Sequence, residues 1–108
     1  MTNFSSEQRP AGSLLTTPIY YVNAEPHIGH AHTSVMGDIL KRARRMAGAS
    51  VRLTTGTDEH GQKNEAAAMG SGLETGAYLE RQSLRFRDLF DRLGIEYDVF
   101  VRTSEEHY

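Results

Sequence analysis

The sequence predicts an α/β fold in which three parallel strands are joined by crossover helices. Short β-rich apolar runs recur at residues 14–21, 51–55 and 97–104, helical periodicity fills the gaps between them, and glycines close the helices. Strand, helix, strand, helices, strand is the order of right-handed crossovers onto a parallel sheet. A chain of 108 residues is one small domain or part of a larger one, able to bury roughly two thirds of its unfolded surface.

Residues 1–13 mix Ser, Asn, Gln, Pro and Gly without apolar periodicity and read as a mobile N-terminal tail. Residues 14–21 are nearly continuous in apolar character, which suits a strand covered on both faces. Pro18 cannot donate to a ladder, so that strand must be free or bulged along one edge. Residues 27–47 read as a helix whose apolar stripe is Ile28, Val35, Met36, Ile39, Leu40 and Met46, with Gly48 as its stop. Lys41, Arg42, Arg44 and Arg45 crowd its last turns and suit the negative end of the helix dipole. Residues 51–55 are the second strand, and "GTDEHGQ" is the loop leaving it. A short helix over residues 63–69 follows. A stronger one spans residues 74–93, with Leu79, Phe86, Leu89, Phe90 and Leu93 on one face. Residues 97–104 are the third strand.

Composition excludes several classes of function. A net charge of −2 offers no bulk basic field for nucleic acid. Without cysteine the chain has no disulfide and no thiolate-ligated zinc. No run of about 18 apolar residues occurs, and the expected location is the cytoplasm.

Two segments stand out, "NAEPHIGH" and "GTDEHG", and both fall at carboxyl ends of strands, where parallel sheets bind ligands. A helix start presents free N–H groups and partial positive charge, a natural seat for phosphate. His27 and His30 add two side-chain donors on one helical face, and Gly29 between them lets a flat ligand approach the backbone. That set suits a nucleoside triphosphate. The plain alternative is that the histidines only cap the helix. A metal site using His27, His30 and His32 with Asp58 or His60 lacks a convincing ligand spacing. Asp58 could hold a substrate ammonium group or simply make a turn. Glu59 and His60 read equally well as surface loop residues. Tyr20 and Tyr21 must face opposite ways, so at most one is expected in a shared pocket.

Together, "TTPIYYVNAEPHIGH", "LTTGTDEHGQK" and "LGIEYDVFVRTSEE" resemble, in order and at natural spacing, the start of the catalytic domain of the methionyl-tRNA synthetase family of class I aminoacyl-tRNA synthetases. The resemblance covers residues 14–106. It implies the first half of a Rossmann-like nucleotide-binding domain and the activation of methionine by ATP, followed by aminoacyl transfer to tRNA. By position it implies that His27 and His30 contact ATP phosphates, that Gly29 lies under adenine, and that Asp58 binds the methionine ammonium. Ile19 and Tyr21 would line the amino-acid pocket, and Mg²⁺ would arrive with ATP. His32, Gly37, Phe90 and Val99 depart from the residues usual in the family. By the same resemblance, residues 14–108 stop before the connective insert with its zinc site, the K-M-S-K-S loop and the anticodon-binding domain. The isolated chain is therefore expected to be inactive, and to self-associate along a bare first-strand edge. A non-catalytic paralogue that binds ATP, methionine or a partner chain is the second reading. A small nucleotidylyltransferase using the same histidine pair is the third, and "GTDEHGQK" speaks against it.

Overall fold

The computed structural model describes residues 12–105. The element order is β1 (Ser13–Thr16), β2 (Tyr20–Tyr21), α1 (Ile28–Met46), β3 (Val51–Asp58), α2 (Gln62–Ser71), α3 (Thr75–Arg92) and β4 (Val99–Arg102). All pairings are parallel. Central β3 carries β1 and β2 along one edge and β4 along the other, since Thr54 pairs with both Thr16 and Val99 and Thr57 with both Tyr20 and Arg102. The α/β class and the three-strand order are as expected. Eleven of the thirteen residues of the expected N-terminal tail lie outside the described residues, and β1 begins at Ser13.

The expected first strand is split. From Thr16 to Tyr20 the chain takes four steps while β3 takes three, from Thr54 to Thr57, so one residue is extra. Pro18 sits in that break and leaves the ladder as a proline must. Thr17 secures it, its N–H donating to Thr54 O at 3.1 Å and its hydroxyl lying 2.7 Å from Thr55 Oγ1. The second strand runs on through Asp58 rather than ending at Thr55. Gly56 permits this, because a Cβ there would lie 2.1 Å from the Val101 carbonyl oxygen. The third strand is shorter than expected, Val99–Arg102.

The largest correction concerns α1. Its buried residues are Ser34, Asp38 and Lys41, while Met36 and Ile39 are 51 % and 56 % exposed and Ile28, Leu40 and Met46 also face outward. Only Val35 of the expected stripe packs against the core. The cause lies in what meets the inner face. Lys41 Nζ donates to Glu96 O at 2.6 Å and to Asp98 Oδ2 at 2.8 Å, and Asp98 Oδ2 also accepts from Leu53 N. Asp38 accepts from Glu96 N and from Arg42 Nε. Buried polar groups are tolerated when bonded in this way, and here they lace α1 to the segment entering β4. Lys41 and Arg42 therefore make tertiary contacts and do more than complement the helix dipole, as does Arg45, which pairs with Glu96.

The apolar core lies between the sheet and α3. Tyr78, Leu79, Phe86 and Phe90 of α3 pack with Tyr20, Val22, Leu53, Ala68 and Ile95, following the periodicity expected of residues 74–93. Leu93 falls outside the buried set.

Candidate active site

His27 is the N-cap of α1, and its side chain and that of His30 form a reciprocal capping box. Gly29 N donates to His27 Nδ1 at 3.0 Å, and His27 N donates to His30 Nδ1 at 3.0 Å. The rings stack with centroids 3.9 Å apart. Since both Nδ1 atoms accept, each neutral ring carries its proton on Nε2. Capping and phosphate donation thus use different nitrogens, and the two readings of the histidine pair are compatible. Gly29 gains a second reason here: a Cβ would come within 2.9 Å of His27 Cε1.

His30 also leans edge-on against Tyr20 and Phe86, with centroids 4.9 and 4.8 Å away. Burial, and then the neighbouring His27, push its pKa below the ordinary imidazole value. Tyr20 is buried with its hydroxyl 3.1 Å from Ser34 Oγ, whereas Tyr21 is 55 % exposed. The two tyrosines face opposite ways, as a strand requires.

Asp58 ends β3 rather than sitting in a loop, and it pairs in register with Tyr21. Next to them is an open cavity of about 270 Å³ lined by Tyr21, His60, Gly61, Gln62 and Lys63. Ile19 lies in the break between β1 and β2 and is not among the residues lining it. The structure therefore brings His27 and Gly29 to His30, and Tyr21 to Asp58, all at the carboxyl ends of β2 and β3. Among the described residues no group of three His, Cys, Asp or Glu side chains is arranged to hold a metal ion.

Glu59 corrects the surface-loop reading, since its side chain has no exposed area. It accepts from Arg102 Nε at 2.7 Å, Arg102 Nη2 at 2.9 Å, Thr57 Oγ1 at 2.8 Å and Ser104 Oγ at 2.8 Å. Burial pushes its carboxyl up, but hydrogen bonds from Arg102, Ser104 and Thr57 and the Arg102 charge outweigh that and hold it below the usual range. His60 is exposed, 3.0 Å from Thr103 O. Glu59 therefore ties the turn after Asp58 to β4. Glu59→Gln is expected to cost about 3 kcal/mol at pH 7, because removing one partner of a buried pair strands the other. A carboxyl depressed in the fold contributes stability above its unfolded pKa, about 4.3, and loses it as pH falls through the lower folded value. Urea unfolding at pH 7 and pH 3.5 checks this: wild type should lose stability on acidification, and the variant distinctly less.

Sequence reasoning also missed Asn64, which is fully buried and donates from Nδ2 to Asp58 O at 2.8 Å and His60 O at 3.0 Å. Inside an expected helix its letter looks like any solvated polar position, and only the tertiary fold turns it inward.

Residues 13–108 match the family model described as tRNA synthetases class I (M). The chain belongs to that family. It is 50 % identical over 95 residues to a probable mitochondrial methionine–tRNA ligase of Dictyostelium discoideum, covering 88 % of this chain and 16 % of the relative. It is 48 % identical over 94 residues to the methionine–tRNA ligase of Rickettsia bellii, covering 87 % of this chain and 18 % of that protein. The fold superposes on Mycobacterium tuberculosis methionyl-tRNA synthetase bound by methionyl-adenylate with a TM-score of 0.86 and 40 % identity, covering 88 % of this chain and 19 % of that one. The chain thus spans less than a fifth of the length of each of these proteins. Among the described residues no helix is long and apolar enough to cross a membrane.

Proposed function

We propose that the chain supplies, over residues 14–108, the nucleotide-binding first half of a methionine–tRNA ligase catalytic domain. The observation that carries this is the histidine capping box, which leaves an Nε2–H donor on each ring at the positive end of α1. In the proposed reaction a methionine carboxylate oxygen attacks the α-phosphorus of ATP, the new P–O bond forms, and the bond to pyrophosphate breaks. A tRNA 3′-end hydroxyl then takes the aminoacyl group and releases AMP. His27 and His30 donate to phosphate oxygens that gain charge during the attack, and preorganised donors of this kind stabilise the transition state by about 3 kcal/mol each. Gly29 lies beneath the adenine, Asp58 receives the methionine ammonium, and Ile19 and Tyr21 contact the side chain. Mg²⁺ comes with ATP, and no zinc site is proposed within this chain. The site of action proposed is the cytoplasm, with the mitochondrion, named for the Dictyostelium discoideum relative, as the competing location that a tagged chain in cells distinguishes.

The free edge of β1 and β2 has no partner strand among the described residues, and Met36, Ile39 and Leu40 of α1 are exposed. Such an edge is a template for pairing. The isolated 108-residue chain is accordingly proposed to associate with a second copy along that edge, and to activate methionine negligibly. Sedimentation velocity and methionine-dependent ATP–pyrophosphate exchange check both statements. A monomer that exchanges pyrophosphate at the rate of a complete synthetase would overturn them, whereas a chain that binds ATP without exchange fits either an incomplete catalytic half or a non-catalytic paralogue.

A further inference from the structure

We infer that α3 positions the histidine cap from behind, with Gln82 as the central positioning residue. Residues 23–26, between β2 and α1, make no backbone–backbone hydrogen bond among the described residues. What holds this segment comes from one face of α3. Tyr78 Oη donates to Val22 O at 3.1 Å, and Gln82 Nε2 donates to Val22 O at 3.3 Å and to Ala24 O at 3.1 Å. Arg85 pairs with Glu25, and Phe86 packs edge-on against His30 at 4.8 Å. These four residues lie at i, i+4, i+7 and i+8, a single stripe of a helix.

Gln82 is 1 % exposed and its Oε1 has no hydrogen-bond partner. Leaving a buried acceptor unpaired costs free energy, so packing alone is a poor account of a glutamine here. Its amide is used for its two donors. They grip carbonyls three and five residues before His27, in a segment that would otherwise be free to swing the cap. Tyr78 and Gln82 act through the carbonyls of Val22 and Ala24, Arg85 through the Glu25 side chain, and Phe86 against the His30 ring itself. The importance for catalysis rests on the proposed role of His27 and His30 toward ATP, but the grip itself is a property of the chain without ligand.

Gln82→Met keeps the volume and unbranched shape and removes both donors, together with the orphaned carbonyl. Tyr78→Phe removes one donor only. Hydrogen exchange of backbone amides read by mass spectrometry tests the grip at peptide level in the 108-residue chain, whether or not it self-associates. Exchange of the imidazole C2 hydrogens in the same samples reports the pKa of each histidine. In Gln82→Met, amide exchange over residues 27–31, where the N–H groups of His27, Gly29, His30 and Ala31 are hydrogen-bonded, is expected to rise at least about tenfold while residues 34–46 change by less than about threefold. The His30 pKa should move back toward its ordinary value of about 6.5. Tyr78→Phe should give the same pattern with a smaller rise. Equal loss of protection over the whole chain in both variants would make Gln82 an ordinary core residue and overturn the inference. So would an unchanged segment 27–31, or a wild-type segment 27–31 that already exchanges like an unstructured peptide. None of these measurements uses nucleotide, so a failure to bind ATP would count against the proposed function and leave this result standing.

Discussion

Gly56→Ala is expected to abolish cooperative folding, a loss of more than about 4 kcal/mol. The added Cβ would stand 2.1 Å from the Val101 carbonyl oxygen and 2.8 Å from two further backbone atoms of Val101. No rotamer relieves this contact, because both partners are main chain. Either β3 or β4 must move, and β4 is held to β3 by four register pairs beginning at Thr54 and Val99. Moving it would also pull Arg102 from Glu59 and Asp98 from Lys41, stranding two buried charges. Circular dichroism with urea titration checks this, and a variant with the wild-type midpoint would show that the strands can separate cheaply. Gly29→Ala makes the opposite case: its Cβ meets only the His27 ring, at Cε1 and at the cap acceptor Nδ1, and that side chain can swing away, so the fold should survive with a weakened cap.

His30→Ala, placed in a chain of complete catalytic-domain length, is expected to lower methionine-dependent ATP–pyrophosphate exchange about 10²- to 10³-fold, the usual loss of one transition-state donor. Stability should fall by only about 1 kcal/mol, the scale of a lost cap. The effect should appear in kcat more than in the KM for ATP, because the donor is needed where charge develops. pH adds a second signature. His30 is depressed by burial and by His27, so it stays neutral at pH 7. Protonation puts a hydrogen on Nδ1, which can then no longer accept from His27 N. A base depressed in the fold supports it fully above the unfolded pKa, about 6.5, and that support is lost as pH falls toward the lower folded value. Exchange activity and cap protection should therefore fall together on the acid side. Full exchange activity in His30→Ala would remove the transition-state role.

The parts of the fold legible in the sequence were those governed by neighbours in the chain. The helix expected over residues 74–93 is found as Thr75–Arg92, because its ends are set by local backbone bonding and its core face by a 3.6-residue repeat. The break near Pro18 was also legible, since a missing N–H is a property of the residue itself. The inner face of α1 was not. Hydrophobic periodicity assumes an apolar partner, and the groups awaiting Asp38 and Lys41 are Glu96 and Asp98, more than fifty residues further along the chain.

The candidate site divides in the same way. His27 and His30, three apart at a helix start, determine by themselves a reciprocal cap and hence a proton on Nε2 of each neutral ring, because every bond in that box closes within three residues. Tertiary structure alone decided that Tyr20 and Phe86 would wall His30, that Glu59 would be buried under Arg102, and that Gln82 would grip carbonyls as far as sixty residues back. The physical reason is one of range. A cap is satisfied by the nearest orphan N–H, whereas a buried carboxylate or amide takes whatever donor or acceptor the packed sheet and helices bring to it, and that partner is specified only once the chain has folded.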